Sequence, residues 1–174
     1  LLGIKVVIGT DQIRDIVNLY VNDPFLQRPT ANCWELIGER NAENIIAGYL
    51  KQSELLSDGV LAVLEIARKR GENLILEGAH LCPDIYPQLK DDPKICFFHL
   101  LLWLEDEDLH NENIALKIEL RHGKEPSWSK EKMESMRVIQ KFLLETNPAY
   151  VYLVDSASPE NNAAAIVGIL EASL

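Results

Sequence analysis

The sequence predicts an α/β fold: a parallel sheet with helices on both faces. Two observations predict it. Four short apolar runs, rich in β-branched residues or leucine, recur along the chain. Stretches with helical spacing separate them, long enough for the crossovers that parallel neighbours require. The 174 residues suffice for one domain, because a chain of this size buries a single substantial core.

The first strand is Lys5–Gly9, whose KVVIG run suits a buried strand. Thr10-Asp11 offers N-cap chemistry for a helix carrying Ile13, Ile16, Val17 and Tyr20, and Asn22-Asp23-Pro24 ends it. Residues Phe25–Arg40 read as irregular, with Trp34 as the anchor of the loop. Ala42 to Arg70 is one long helix or two in tandem, stopped by Gly71 in a left-handed conformation. Asn73–Glu77 is the second strand, closed by Gly78. Pro83, Pro87 and Pro93 punctuate the loop that follows. Ile95–Leu104 is the third strand, about half of the ~20 apolar residues a membrane span needs. Glu105 to Arg121 is polar and helical. Ser129 to Glu145 is an amphipathic helix burying Met133, Met136, Phe142 and Leu143. Tyr150–Val154 is the fourth strand, and Ser158-Pro159-Glu160 opens a last helix.

Charge narrows the function. Lys+Arg is 17 and Asp+Glu is 27, a net charge of −10, which repels nucleic acid and anionic membrane at long range and argues against non-specific binding to either. Cys33, Cys82 and Cys96 cannot all pair with one another and lack metal-ligand spacing, so a reducing, cytoplasmic setting is expected.

Ligands of parallel sheets gather outside the carboxyl ends of the strands, so the residues just after each strand are the candidates. Asp11 and Arg14 lie one helical turn apart. The carboxylate could orient or deprotonate a hydroxyl and the guanidinium could clamp an anion. A helix cap and a surface charge are the plain alternative. Glu77-Gly78-Ala79-His80 places a carboxylate at a strand end, where it could hold Mg²⁺, with a histidine beyond it that could meet an anion. The plain alternative is a turn with a satisfied structural histidine. Lys117, Arg121 and Arg137 could fold over a polyphosphate, although Glu105–Asp108, Glu112 and Glu119 crowd the same segment and also allow a solvated face. Arg28 offers a further anion contact or a surface charge.

Taken together, VVIGTDQIRDI (Val6–Ile16), the run from Tyr49 to Pro83 ending in EGAHLCP, LEDEDLHNENIALKIELR (Leu104–Arg121) and MRVIQKFL (Met136–Leu143) resemble the 2-phosphoglycerate kinase family of P-loop kinases. The resemblance implies a three-layer P-loop NTPase-like sheet. It also implies transfer of the ATP γ-phosphoryl group to the free hydroxyl of 2-phosphoglycerate, with Mg²⁺. Asp11 and Glu77 would be catalytic, and Glu77 would position the metal or its water. Arg14, His80 and Arg28 would bind the acceptor. Lys117 and Arg121, on a lid spanning 105–127, and Arg137 beyond it would meet phosphate. The G-x-x-x-x-G-K-[ST] motif of such kinases is absent from Leu1 to Leu174. The chain opens on Leu1-Leu2-Gly3 and is expected to be a single kinase-like domain lacking its first, central strand, and inactive alone. Asn111 and Asn113 stand where the family tends to carry arginines. A degenerate kinase fold that senses a ligand or binds a partner without turnover is the alternative.

Overall fold

The computed structural model describes residues 3–82, 95–120, 129–149, 151–155 and 158–173, with side chains undescribed at 117–120, 159–160 and 173. The prolines at 83, 87 and 93 and the lid residues from Arg121 onward lie outside the described residues.

Strand β1 (Val6–Gly9) pairs in parallel with β2 (Leu74–Glu77), in a register that sets Val6 beside Leu74 and Gly9 beside Glu77. Strand β3 (His99–Trp103) pairs in parallel with β4 (Val151–Asp155), His99 beside Val151 and Trp103 beside Asp155. Among the described residues no pairing joins β2 to β3, so two parallel pairs stand in place of one continuous sheet. The expected buried character of the first strand is corrected: Val6 and Val7 are 37% and 56% exposed, because among the described residues only β2 pairs with β1 and part of one face of β1 is uncovered. The third strand is shorter than its apolar run. Residues 95–98 approach it without pairing, and Phe97 packs into the core ahead of it.

Helix α1 (Thr10–Val21) begins one residue earlier than its sequence suggested. Gly9 occupies the N-cap, and Gln12 Oε1 accepts from the Gly9 N–H at 3.2 Å. Thr10 is therefore the first helical residue, and its hydroxyl is free to point elsewhere. Asn22 ends α1 in the left-handed conformation. The segment expected to be irregular contains a 3-10 helix, Thr30–Leu36.

Helix α2 (Ala42–Arg70) is one unbroken rod. Asn41 caps it by accepting from the Asn44 N–H at 2.8 Å, and Gly71 stops it with φ 64°. Arg68, Lys69 and Arg70 place positive charge where the helix dipole is negative. Gly48 lets α2 press against the 3-10 helix, since a Cβ there would lie 2.6 Å from the Cys33 carbonyl carbon. Helices α3 (Glu107–Leu120), α4 (Lys130–Glu145) and α5 (Pro159–Ser173) complete the chain. Ser129 caps α4 and Ser158 caps α5, each through its hydroxyl.

Two apolar cores form along α2. Leu56 and Val60 join Ile13 and Leu26 beneath Ile8 of β1 and Leu76 of β2. Closer to its amino end, Ile45 and Tyr49 join Ile139 and Leu143 of α4, with Trp34 and Leu101 against them. Tyr49 meets Phe142 edge-on, with ring centroids 6.4 Å apart. Met133 and Leu143 are buried as expected, Met136 and Phe142 partly so, and Ile139 is more deeply buried than any of them.

Candidate active site

The β1–β2 register fixes the first half of the site. Because Gly9 lies beside Glu77, the start of α1 and the end of β2 share one edge. The Glu77 carboxylate rests against the turn between β1 and α1: a Cβ on Gly9 would lie 2.8 Å from its Oε1. Glu77 is exposed and has no ion-pair partner among the described residues. An unpaired carboxylate at a strand end is a donor of the kind Mg²⁺ takes directly or through water.

Asp11 stands exposed on the first turn of α1, its Oδ1 3.0 Å from Arg14 Nη1. Arg14 also reaches Asp15 at 3.6 Å, and its side chain is only 19% exposed. Arg28, half exposed, pairs with Glu35 at 2.9 Å. Burial pushes the Cys33 thiol up to about 12, and both guanidinium groups pull against that rise. The thiol is therefore protonated and is no nucleophile.

His80 is deeply buried. Its Nδ1 lies 2.9 Å from the Thr10 hydroxyl, and its Nε2 lies 2.8 Å from Gln52 Oε1 and 3.0 Å from the Thr30 hydroxyl. Burial lowers its pKa to about 4, with Asp11 opposing and Arg14 reinforcing that shift. Gly78 is indispensable to this arrangement. It has φ 141°, and a Cβ there would fall on the Thr10 hydroxyl.

The end of β3 is held differently. Arg137 of α4 donates Nη1 to the Leu104 carbonyl and Nη2 to the Glu105 carbonyl, both at 2.5 Å. Gln140 accepts from Leu104 N–H at 3.2 Å and donates to its carbonyl at 3.0 Å. His110 on α3 sits near Arg137, whose charge adds to burial in lowering the histidine's pKa. Burial lowers the pKa of His99 at the start of β3, and the Leu81 backbone opposes that shift.

The structure thus brings Asp11, Arg14 and Glu77 to the β1–β2 end, with His80 buried and bonded to Thr10 beside them, while the Arg28 side chain pairs with Glu35 in the loop whose carbonyls Gln52 holds. Arg137 faces backbone carbonyls at the β3–α3 junction. Lys117 lies on α3 without a described side chain, and Arg121 lies outside the described residues. Sequence reasoning missed Thr10 as a histidine partner, Thr30 and Gln52. Gln52 carried a signal: it is an amide on the stripe of α2 between Tyr49 and Leu56, both fully buried.

The chain is 36% identical over 112 residues to a 2-phosphoglycerate kinase of Pyrococcus furiosus, covering 62% of this chain and 36% of that protein. The chain is similar to the archaeal 2-phosphoglycerate kinases. The enzyme of that name from Methanocaldococcus jannaschii is 30% identical over 116 residues, 63% of this chain and 36% of that kinase. A mevalonate-3-phosphate 5-kinase of Thermoplasma acidophilum is 27% identical over 126 residues, 71% of this chain and 60% of that kinase. The chain therefore spans about a third of the length of these 2-phosphoglycerate kinases. No family profile matches it, and no solved structure does. Among the described residues no helix is long and apolar enough to cross a membrane.

Proposed function

We propose that this chain is the acceptor-and-lid portion of an ATP-dependent small-molecule kinase acting in the cytoplasm. It would transfer a phosphoryl group to the hydroxyl of a phosphorylated acid, with 2-phosphoglycerate as the leading acceptor and 2,3-bisphosphoglycerate as the product. The observation that carries this reading is the placement of Asp11, Arg14 and Glu77 at one edge of a parallel strand pair. Similarity to kinases whose named acceptors are small and phosphorylated supports it.

In this reading Asp11 orients the acceptor hydroxyl and takes its proton. Arg14 and Arg28 hold the anionic groups of the acceptor, exchanging their present carboxylate partners for it. Glu77 would hold Mg²⁺ or its water, and the ion would supply charge neutralisation at the phosphates. Lys117 and Arg121 close over the γ-phosphate, and Arg137 braces the junction on which that lid, residues 105–127, would turn. The phosphate loop, absent from Leu1 to Leu174, and a central strand between β2 and β3 would come from the rest of the protein. The two unjoined parallel pairs support that arrangement, which would complete a three-layer P-loop sheet with helices on both faces.

A second reading, a degenerate kinase fold that senses a ligand or binds a partner without turnover, is favoured by Arg137, whose terminal nitrogens already face carbonyls. The experiment is ATP turnover with 2-phosphoglycerate, then with other phosphorylated hydroxy acids, on the full-length protein. Turnover supports the kinase. A full-length protein that binds neither ATP nor ADP by calorimetry supports the second reading.

A further inference from the structure

His80 joins four segments that are distant in sequence. Thr10 opens α1, Thr30 opens the 3-10 helix, Gln52 lies within α2, and His80 itself follows β2. Gln52 extends the network, since its Nε2 donates to the carbonyls of Phe25 and Arg28 at 2.5 and 3.0 Å.

These contacts determine where the imidazole proton lies. The amide of Gln52 is oriented by two carbonyls, which accept only, so its nitrogen must face them and its oxygen must face His80. That oxygen cannot donate, so His80 Nε2 carries the proton, shared with the Thr30 hydroxyl as a second acceptor. Nδ1 is then a lone pair, and the Thr10 hydroxyl donates to it. Every buried polar atom of the cluster has a partner, leaving neither ring nitrogen for a substrate.

Two consequences converge on the site. Thr10 immediately precedes Asp11 and stands one turn before Arg14. One of the two carbonyls that Gln52 holds belongs to Arg28 itself. The charged groups near the ring are Asp11 and Arg14 from α1, while the neighbours contributed by α2 and the 3-10 helix are uncharged amide and hydroxyl groups.

We infer that His80 is a positioning residue rather than a substrate contact: locked with its proton on Nε2, it sets the spacing between the Asp11–Arg14 turn and the Arg28 loop, and through that spacing the grip on the acceptor. The inference rests on the kinase reading for its effect on the acceptor, but not for the lock itself.

Two measurements on the full-length protein test it. Nitrogen-15 spectra of the histidine rings should show His80 protonated at Nε2 and bare at Nδ1, with no titration between pH 5 and 8. A proton on Nδ1, or titration near 6.5, overturns the lock. Kinetics with 2-phosphoglycerate and ATP test the consequence. Thr30→Val should raise KM for the acceptor about tenfold while KM for ATP stays within twofold, and Thr30→Ser, which keeps the hydroxyl, should restore it. A change in kcat alone, or equal changes in both KM values, overturns the positioning role. Absence of turnover in the wild-type protein overturns the kinase reading, and the ring spectra then decide the lock by themselves.

Discussion

At the carboxyl end of β2, buried side chains hold one another: His80, Thr10, Thr30 and Gln52 bond across as many as 70 positions of sequence. At the carboxyl end of β3, side chains from α4 hold backbone instead, with Arg137 and Gln140 gripping the peptides of Leu104 and Glu105. A buried side-chain cluster tolerates one geometry, because each unmet partner would cost a desolvated polar group. The grip on Glu105 is more forgiving, because its carbonyl is exposed and water can replace a lost donor there, whereas the Leu104 peptide is part-buried. The first end is suited to a fixed platform, the second to a junction about which a helix can turn.

The sharpest way to break this comparison is at the platform's acids. In the full-length protein, Asp11→Asn or Glu77→Gln should each lower turnover with 2-phosphoglycerate about 100-fold or more. Steady-state assays check this, and unchanged rates in both variants would remove the two residues from the chemistry. Next comes Gly78→Ala, which places a Cβ on the Thr10 hydroxyl at a positive φ. It should destabilise the fold by about 3 kcal/mol, read as a lower denaturation midpoint.

Acid should act on the same end. The folded His80 has a pKa of about 4 against an ordinary value of 6.5, so between those values the unfolded chain takes up a proton that the folded chain refuses. The stability tied to neutral His80 is therefore complete above pH 6.5 and falls as pH drops toward 4, by up to about 3 kcal/mol. His99 and His110 are shifted in the same direction and add to the slope. Urea midpoints measured across pH 4 to 7 test this, with His80→Asn expected to flatten the curve. The smallest effect belongs to the junction. Arg137→Met removes two charge-assisted bonds that water can partly replace, and should cost about 2 kcal/mol or less in the same denaturation assay.

The two ends also differed in how far the sequence disclosed them. Strand ends, the stop at Gly71 and the candidates Asp11, Arg14 and Glu77 were legible, because apolar runs, helix-ending glycines and acids after strands are local signals. The His80 cluster was not, because its meaning depends on which distant hydroxyl or amide folding brings to the ring. Thr10 resembled a cap for the same reason: only the packed structure shows Gly9 in that place and the hydroxyl turned toward His80. The exposure of Val6 and Val7 was hidden as well, since an apolar run does not disclose whether its edge is covered.

Helix α2 has a consequence for cooperativity. At about 1.5 Å per residue its 29 residues extend roughly 43 Å, and both apolar cores are assembled on it. Neither core can loosen without releasing the face of a rod that the other also grips, so heating should give one transition rather than two. The same rod carries Gln52 between the two cores, so a tilt that opened the α4 side would be felt as a lever arm at the Arg28 loop.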